Sequence, residues 1–353
     1  MQDSVEPQYD VEELYGELSL DYALRALMGR RMQECKKEDY MDSDKIKEDK
    51  YYIEKIKELK EKRKAIILAH NYQRPEIQDL ADLVGDSLDL SRKAADTDAR
   101  VIVFCGVHFM ADSAAILSPE KTVLLPVKEA GCQLADMITA QELRKKKEEN
   151  PRAVVVCYVN SSAEVKAESD ICCTSANGIG VVSSLKENRI LFVPDEHLGR
   201  YLESKTNKEF ILWKGFCPTH YNLLPKDILK AKEEHPQAKI LVHPECRLSV
   251  IDLADEAFST NGMLEYAKKS EAKEFIIGTE MGLIHRLKKE NPSKNFYPAS
   301  ENLICPSMKL ITLKEVAESL EKMRYKIEIP EEVRKRAKKS LNRMPVSSKS
   351  KNG

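Results

Sequence analysis

The 353-residue sequence contains no apolar run close to the roughly 20 residues that a transmembrane helix needs. Its first residues, MQDSVEPQYDVEEL, are acidic and lack the apolar segment of a secretion signal. Lys plus Arg (57) and Asp plus Glu (58) nearly cancel, so the charge balance predicts neither nucleic acid nor an anionic membrane as a partner. We therefore expect a cytoplasmic protein.

The nine cysteines include no C-x-x-C pair. This absence argues against a zinc ribbon, a thioredoxin-like redox pair and a ferredoxin-type cysteine run. A disulfide framework is not expected in a cytoplasmic chain. Free cysteines are usually buried, and we expect this of Cys157, Cys172 and Cys173, which lie in the strand-like segments VVVCYV and DICCTS.

Alternating strand and helix patterns begin at residue 65 and predict a largely parallel α/β fold. The apolar run AIILA predicts a strand that ends at His70. The next segment, PEIQDLADLV, predicts one helix that ends at Gly85, and Ser87 is expected to open another.

The two ends of the chain have different patterns. Residues 1–50 are predicted to form a partly helical N-terminal extension that ends in a linker, KEDYMDSDKIKEDKYY. An amphipathic helix is expected over residues 52–64. The last stretch, RMPVSSKSKNG, has no packing pattern, and we expect a disordered tail over 344–353.

Three α/β units repeat with nearly constant spacing. Polar triplets end the first strand of each unit: His70-Asn71-Tyr72, Tyr158-Val159-Asn160 and His243-Pro244-Glu245. A small hydroxyl residue lies 17 positions after the start of each triplet: Ser87, Ser175 and Thr260. A cysteine lies 62, 59 and 62 positions after it: Cys132, Cys217 and Cys305. The spacing predicts units over 51–130 (completed by C-terminal helices 306–343), 131–217 and 218–305.

Ligands of α/β sheets bind beyond the carboxyl ends of the strands. Three units around a pseudo-threefold axis would therefore bring the repeated residues to one central site. Three thiolates there could bind zinc with a fourth ligand, or three irons of a [4Fe–4S] cluster with the fourth iron open. The cluster is favoured because structural zinc sites normally take their ligands from short local loops.

The other repeated residues suit an acidic substrate. Ser87, Ser175 and Thr260 precede predicted helices, whose free N–H groups bind anions; ordinary N-capping is the alternative role for each. The histidines His70, His220 and His243, with Tyr72 and Tyr158, offer hydrogen bonds near this site. Glu245 is the candidate general acid–base, and a structural salt bridge is its alternative role.

At these residues the chain resembles the quinolinate synthase family of NAD biosynthesis. The resemblance covers residues 62–340 and includes AHNYQRPEIQDLADLVGDSLDLSR, CGVHFMADSAAILSPEKTVLLP, YVNSSAEVKAESD, KGFCPTH, HPEC, STNGM and CPSMK. It implies three related α/β/α domains about a central active site. It also implies one [4Fe–4S] cluster held by Cys132, Cys217 and Cys305. Cys105 is not a family ligand, and Val193 and Gly278 occupy its place in the other repeats.

The resemblance further implies a transferase that condenses iminoaspartate with dihydroxyacetone phosphate to quinolinate, phosphate and water. It assigns substrate binding to a set of eight residues: His70, Ser87, Tyr158, Asn160, Ser175, His243, Glu245 and Thr260. Proton transfer would fall to Tyr72, His220 and Glu245. Iminoaspartate would come from an aspartate oxidase or dehydrogenase. Another [4Fe–4S] hydro-lyase-like enzyme, an iron–sulfur regulatory protein and a structural zinc protein remain the alternatives.

Overall fold

The computed structural model describes residues 43–344, and residues from Tyr51 onward form one compact unit. A helix runs over Ser43–Arg63. The prediction of a linker is therefore wrong from residue 43, because ten residues of that charged segment belong to the helix. The predicted tail beyond residue 344, and the extension before residue 43, lie outside the described residues.

Within residues 43–344, twelve short strands form three four-stranded sheets, and every strand pair in these sheets is parallel. The first sheet contains β1 Ala65–His70, β2 Leu83–Gly85, β3 Val101–Cys105 and β4 Thr122–Leu124. The second contains β5 Val154–Tyr158, β6 Ile171–Cys173, β7 Arg189–Val193 and β8 Glu209–Leu212. The third contains β9 Lys239–Val242, β10 Glu256–Ala257, β11 Glu274–Gly278 and β12 Asn295–Pro298.

The three sheets share one strand order: β2-β1-β3-β4, β6-β5-β7-β8 and β10-β9-β11-β12. This confirms the predicted class of three related α/β/α domains. Equivalent positions follow from the register, in which Ala69 pairs with Cys105, Cys157 with Val193 and Val242 with Gly278. Cys105, Val193 and Gly278 therefore end the third strand of each sheet in the same place.

Helices connect the strands within each repeat. In the first they are Pro75–Leu80, Ser87–Asp96 and His108–Leu117. In the second they are Ala140–Glu149, Ala163–Ala167, Gly178–Ser184 and Glu196–Ser204, preceded by a 3₁₀ turn at Ala135–Met137. In the third they are Pro218–Tyr221, Pro225–Glu234, Leu248–Ile251, Thr260–Lys269 and Gly282–Glu290. Helices Pro306–Lys309, Leu313–Lys322 and Glu331–Asn342 follow.

The helix predicted over PEIQDLADLV ends at Leu80, and Leu83–Gly85 form an edge strand on β1. Asp82 causes the switch: its carboxylate accepts the N–H of Ile67 at 2.7 Å, and its own N–H donates to Ile67 O at 2.9 Å. The same pair of bonds links Asp170 to Val155 and Asp255 to Ile240. One aspartate in each repeat thus converts a helix end into a strand.

The core lies between these sheets and their helices. Cys157, Cys172 and Cys173 are fully buried in β5 and β6, as predicted. The C-terminal helix Glu331–Asn342 packs on the second domain, where Ser340 Oγ donates to Lys166 O at 2.7 Å. The preceding helix packs on β3. Within residues 43–344, no helix combines the length and the apolar character that crossing a bilayer requires.

Candidate active site

A single cavity lies beyond the carboxyl ends of the three sheets, and every residue predicted for the site lines it. The first domain and the segment that follows it provide His70, Tyr72, Ser87 and Cys132. The second repeat provides Tyr158, Asn160, Ser175 and Cys217. The third provides His220, His243, Glu245, Thr260 and Cys305. Cys105 and Cys246 are fully buried and line no part of this cavity.

The three cysteines share a local geometry. Cys132 precedes the 3₁₀ turn at residues 135–137, and Cys217 and Cys305 each precede a proline that opens a short helix. Their sulfurs accept backbone N–H groups from the turn that follows: Ala135 for Cys132, His220 for Cys217, and Ser307 and Met308 for Cys305. Such hydrogen bonds stabilise sulfur in its thiolate form.

Burial nevertheless raises the pKa of all three thiols. The pKa of Cys305 rises to about 11, and those of Cys132 and Cys217 also rise above their usual range. The charge of Cys305 raises the pKa of Cys132, and the charges of Cys132 and Cys305 raise that of Cys217. A buried set of this kind becomes anionic when a metal replaces its protons. Three cysteines from separate segments, each with N–H donors and all lining one cavity, therefore fit a metal centre.

A tighter group of possible metal ligands contains Cys217, His220 and Glu245, whose donor atoms all lie within 4.8 Å of one another. The imidazole Nδ1 of His220 lies 2.8 Å from Glu245 Oε2 and 3.2 Å from Cys217 Sγ. These are hydrogen-bond distances, so this contact links the cysteine site to the candidate general base without a metal.

A chain of hydrogen bonds continues from Glu245 across the cavity wall. His220 Nε2 lies 2.8 Å from the hydroxyl of Thr279, which lies 2.6 Å from the phenol oxygen of Tyr72. With Nδ1–H of His220 donating to the Glu245 carboxylate, Nε2 accepts from Thr279, and Thr279 accepts from Tyr72. All donors in this assignment point toward Glu245.

In both His70 and His243, the imidazole Nδ1 accepts the backbone N–H of the residue two positions later. The Nδ1 of His70 accepts the N–H of Tyr72 at 3.2 Å, and the Nδ1 of His243 accepts the N–H of Glu245 at 3.3 Å. Burial lowers the pKa of His70 to about 3 and also lowers the pKa of His243. His70 is therefore neutral at pH 7, with its proton on Nε2, whereas Nδ1 of His243 also lies 3.3 Å from Glu245 Oε2.

Glu245 is almost completely buried. Burial alone would raise its pKa, but the imidazoles of His220 and His243 outweigh this effect and hold the pKa well below its usual range. Asn160 Nδ2 also donates to Glu245 Oε1 at 3.2 Å. The carboxylate is thus ionised at neutral pH, as a general base must be. Tyr72 keeps its proton, because burial and the Glu245 charge raise the pKa of the phenol.

The three repeated hydroxyl residues are not the N-caps of the helices that follow them. Asp86 caps the first helix through a 2.9 Å bond to Asp89 N, and Ser259 caps the third through a 3.2 Å bond to Gly262 N. In the second repeat the N-cap is Asn177. Thr260 Oγ1 instead accepts from the Asn71 side chain at 2.8 Å, which ties the first domain to the third.

Sequence reasoning missed two buried residues at this site, Thr279 and Glu280. Thr279 belongs to the hydrogen-bond chain, and Glu280 lines the cavity. They lie 36 and 37 positions after His243. The repeat spacing that identified the hydroxyl residues could also have identified Glu280. Its counterpart in the second repeat is another carboxylate, Asp195, which lies 37 positions after Tyr158.

Comparison with known proteins gives one consistent result. The family model for the quinolinate synthetase A protein matches residues 54–345. The quinolinate synthase of Methanosarcina barkeri is 59% identical over 83% of this chain and 96% of its own length. That of Dehalococcoides mccartyi is 58% identical over 82% and 96%, and that of Desulforudis audaxviator is 56% identical over 83% and 97%. By this match, the chain belongs to the quinolinate synthetase A family.

Proposed function

We propose that this chain is a quinolinate synthase that condenses iminoaspartate with dihydroxyacetone phosphate, releasing phosphate and water, in NAD biosynthesis. The proposal rests on the family to which the chain belongs and chiefly on one observation in its structure. Cysteines from three separate segments line the same cavity as a buried Glu245–His220–Thr279–Tyr72 hydrogen-bond chain.

Cys132, Cys217 and Cys305 would hold a [4Fe–4S] cluster in this proposal. Three protein thiolates leave one iron of such a cluster open, and that iron supplies a Lewis acid that helps to expel hydroxyl groups as water. The backbone N–H groups that reach the three sulfurs would orient them and stabilise their negative charge.

The acidic substrates would be bound mainly by neutral donors. His70 would present its Nε2–H group to carboxylate or phosphate oxygens, and Ser87 and Ser175 would add hydroxyl donors. His243 would line the same cavity beside Glu245. Tyr158 keeps its proton, because burial and the Glu245 charge raise its pKa, so it is a further donor. Neutral donors stabilise bound anions without placing additional uncompensated charge in a buried site.

Glu245 would act as the general base that removes protons from carbon and nitrogen as the ring forms. Its contact with His220 keeps the imidazole proton on Nδ1, and Thr279 connects that imidazole to Tyr72. Tyr72 would donate its proton toward a departing hydroxyl group. Water that enters the cavity when the product leaves would then return a proton to Tyr72 and remove one from Glu245.

The reaction would take place in the cytoplasm, where thiolates remain reduced. Iminoaspartate would be supplied by an aspartate oxidase or dehydrogenase. Mixing the purified chain with either enzyme, aspartate and dihydroxyacetone phosphate should yield quinolinate. Formation of quinolinate with neither supplier would contradict the proposed origin of this substrate.

The deciding experiment measures iron and acid-labile sulfide per chain in protein purified without oxygen. We expect a full cluster in the wild type and in Cys105→Ser, and loss of the cluster in Cys132→Ser. Quinolinate formation should follow the cluster. Zinc in place of iron would favour a structural zinc protein, and a cluster without quinolinate formation would favour a different hydro-lyase-like enzyme or a regulatory protein.

A further inference from the structure

Two buried carboxylates occupy equivalent positions in the second and third domains. Asp195 lies two residues after Val193 at the end of β7, and Glu280 lies two residues after Gly278 at the end of β11. Both side chains are fully buried. The equivalent residue of the first domain is Val107, which has no polar side-chain atom.

Glu280 holds the segment that carries Cys305. Its Oε1 accepts the backbone N–H of Cys305 at 3.1 Å, and its Oε2 accepts the N–H of Gly282 at 2.7 Å. The ammonium of Lys309 lies 2.9 Å from Oε1 and also donates to Tyr72 O at 2.5 Å. One carboxylate thus connects the end of β11, a predicted cluster ligand and the first domain.

Asp195 does not make the corresponding contact in the second domain. Its Oδ1 caps the helix Glu196–Ser204 by accepting a 2.8 Å bond from Leu198 N, and its Oδ2 has no hydrogen-bond partner among the described residues. The Cys217 segment is held through the backbone instead, by a 2.7 Å bond from Glu196 N to Gly215 O. Of these two carboxylates, Glu280 is therefore the one that bonds a cysteine N–H.

We propose that Glu280 is a positioning residue that fixes the cluster ligand Cys305 through its backbone N–H group. This inference rests on the proposed function, because it requires the cluster. Hydrogen-bonding partners behind metal ligands typically change metal affinity by about 10–100-fold. The Glu280 charge beside Cys305 also favours the oxidised cluster, since net charge near iron–sulfur centres sets their reduction potential.

The test compares Glu280→Gln with Asp255→Asn in protein purified without oxygen. The amide introduced by Glu280→Gln would present an N–H₂ group to one of the two N–H donors that the carboxylate binds. Asp255 accepts the N–H of Ile240 at 2.8 Å in the same domain, so its variant also loses a carboxylate–amide contact, in a segment without a cluster cysteine. The readouts are iron release to a chelator, the reduction potential and the thermal midpoint.

We expect Glu280→Gln to release iron about 10–100-fold faster than wild type and to have a higher reduction potential. Asp255→Asn should lower the thermal midpoint but leave both cluster readouts at wild-type values. Equal iron release and equal potential in the two variants would overturn the inference while leaving the proposed function intact. A wild-type protein without iron would overturn the proposed function itself.

Discussion

The hydroxyl of Thr279 lies 2.8 Å from Nε2 of His220. This buried contact, with the 2.6 Å contact to Tyr72, fixes the proton of His220 on the nitrogen that faces Glu245. A tyrosine of the first domain and a glutamate of the third are thereby joined through side chains alone. The relationship makes Thr279 as informative a target as the residues that line the cavity.

Replacing Thr279 with valine should remove this link while keeping the shape of the side chain. The buried Nε2 of His220 and the Tyr72 hydroxyl would lose a partner, at a cost of about 1–3 kcal/mol in the free energy of unfolding. Quinolinate formation should fall, and Thr279→Ser, which keeps the hydroxyl, should retain most of it. Equal activity in the two variants, measured with equal cluster content, would show that the reaction does not depend on the hydrogen bonds of Thr279.

Glu245→Gln should keep the cluster and lose the reaction. The amide has nearly the shape of the carboxylate but cannot accept a proton, so kcat should fall about 10²–10⁴-fold. Asp170→Asn is the matched control, because Asp170 is a carboxylate that bonds the backbone of β5 away from the cavity. A Glu245→Gln variant with near-normal kcat would place the general base elsewhere.

Lowering the pH should destabilise the metal-free protein partly through His70. The pKa of His70 is about 3 in the folded protein against an ordinary value of 6.5, so between these values only the unfolded chain binds the proton. Stability from this group is therefore complete above pH 6.5 and falls by about 1.4 kcal/mol per pH unit below it. Urea unfolding of His70→Gln should show a shallower loss between pH 7 and 5 than wild type, and parallel profiles would contradict this.

Removing the metal should expose the three cysteines of the cavity to alkylation before Cys105. Cys132, Cys217 and Cys305 are partly exposed and line the cavity. Mass spectrometry after brief treatment with iodoacetamide should find these three modified first. Cys105, fully buried in β3, should stay unmodified until the protein unfolds; early labelling of Cys105 would contradict the burial described.

Gly282→Ala should damage the contact between the first and third domains. An added Cβ would lie 2.7 Å from the carbonyl oxygen of Tyr72 and 2.8 Å from Glu280 Oε2, so the backbone near Tyr72 would have to move. We expect a loss of about 1–3 kcal/mol in unfolding free energy, with reduced activity. Gly180→Ala, where no atom lies within 4 Å of the added group, should leave both unchanged or slightly raise stability. Similar melting temperatures for the two variants would contradict the close approach at Gly282.

Spacing in the sequence located much of the site because the three domains repeat the same framework. The strand ends, hydroxyls and cysteines all lie at matching positions, so arithmetic could identify them before any contact was known. Thr279 was invisible to that method, since Gly106 and Pro194 occupy its place in the other repeats. Its importance comes from Tyr72 and His220, which reach it only in the folded chain.

Local patterns failed where tertiary pairing decided the structure. PEIQDLADLV has helical periodicity throughout, yet Asp82 bonds to Ile67 and the following residues pair with β1. The charged segment after Ser43 has few apolar residues, but it continues the helix that ends at Arg63. Repeat comparison could have corrected the first error, because the strand-like segment DICCTS lies at the equivalent position of the second unit.

The wide separation of the cysteines has a consequence for how the protein matures. Cys132, Cys217 and Cys305 are separated by 85 and 88 residues, and the last follows the final strand of the third sheet, Asn295–Pro298. A ribosome must therefore synthesise the strands of all three domains before the third thiol emerges. Under the proposed ligand set, the cluster can obtain its third protein ligand only after all three sheets have been made.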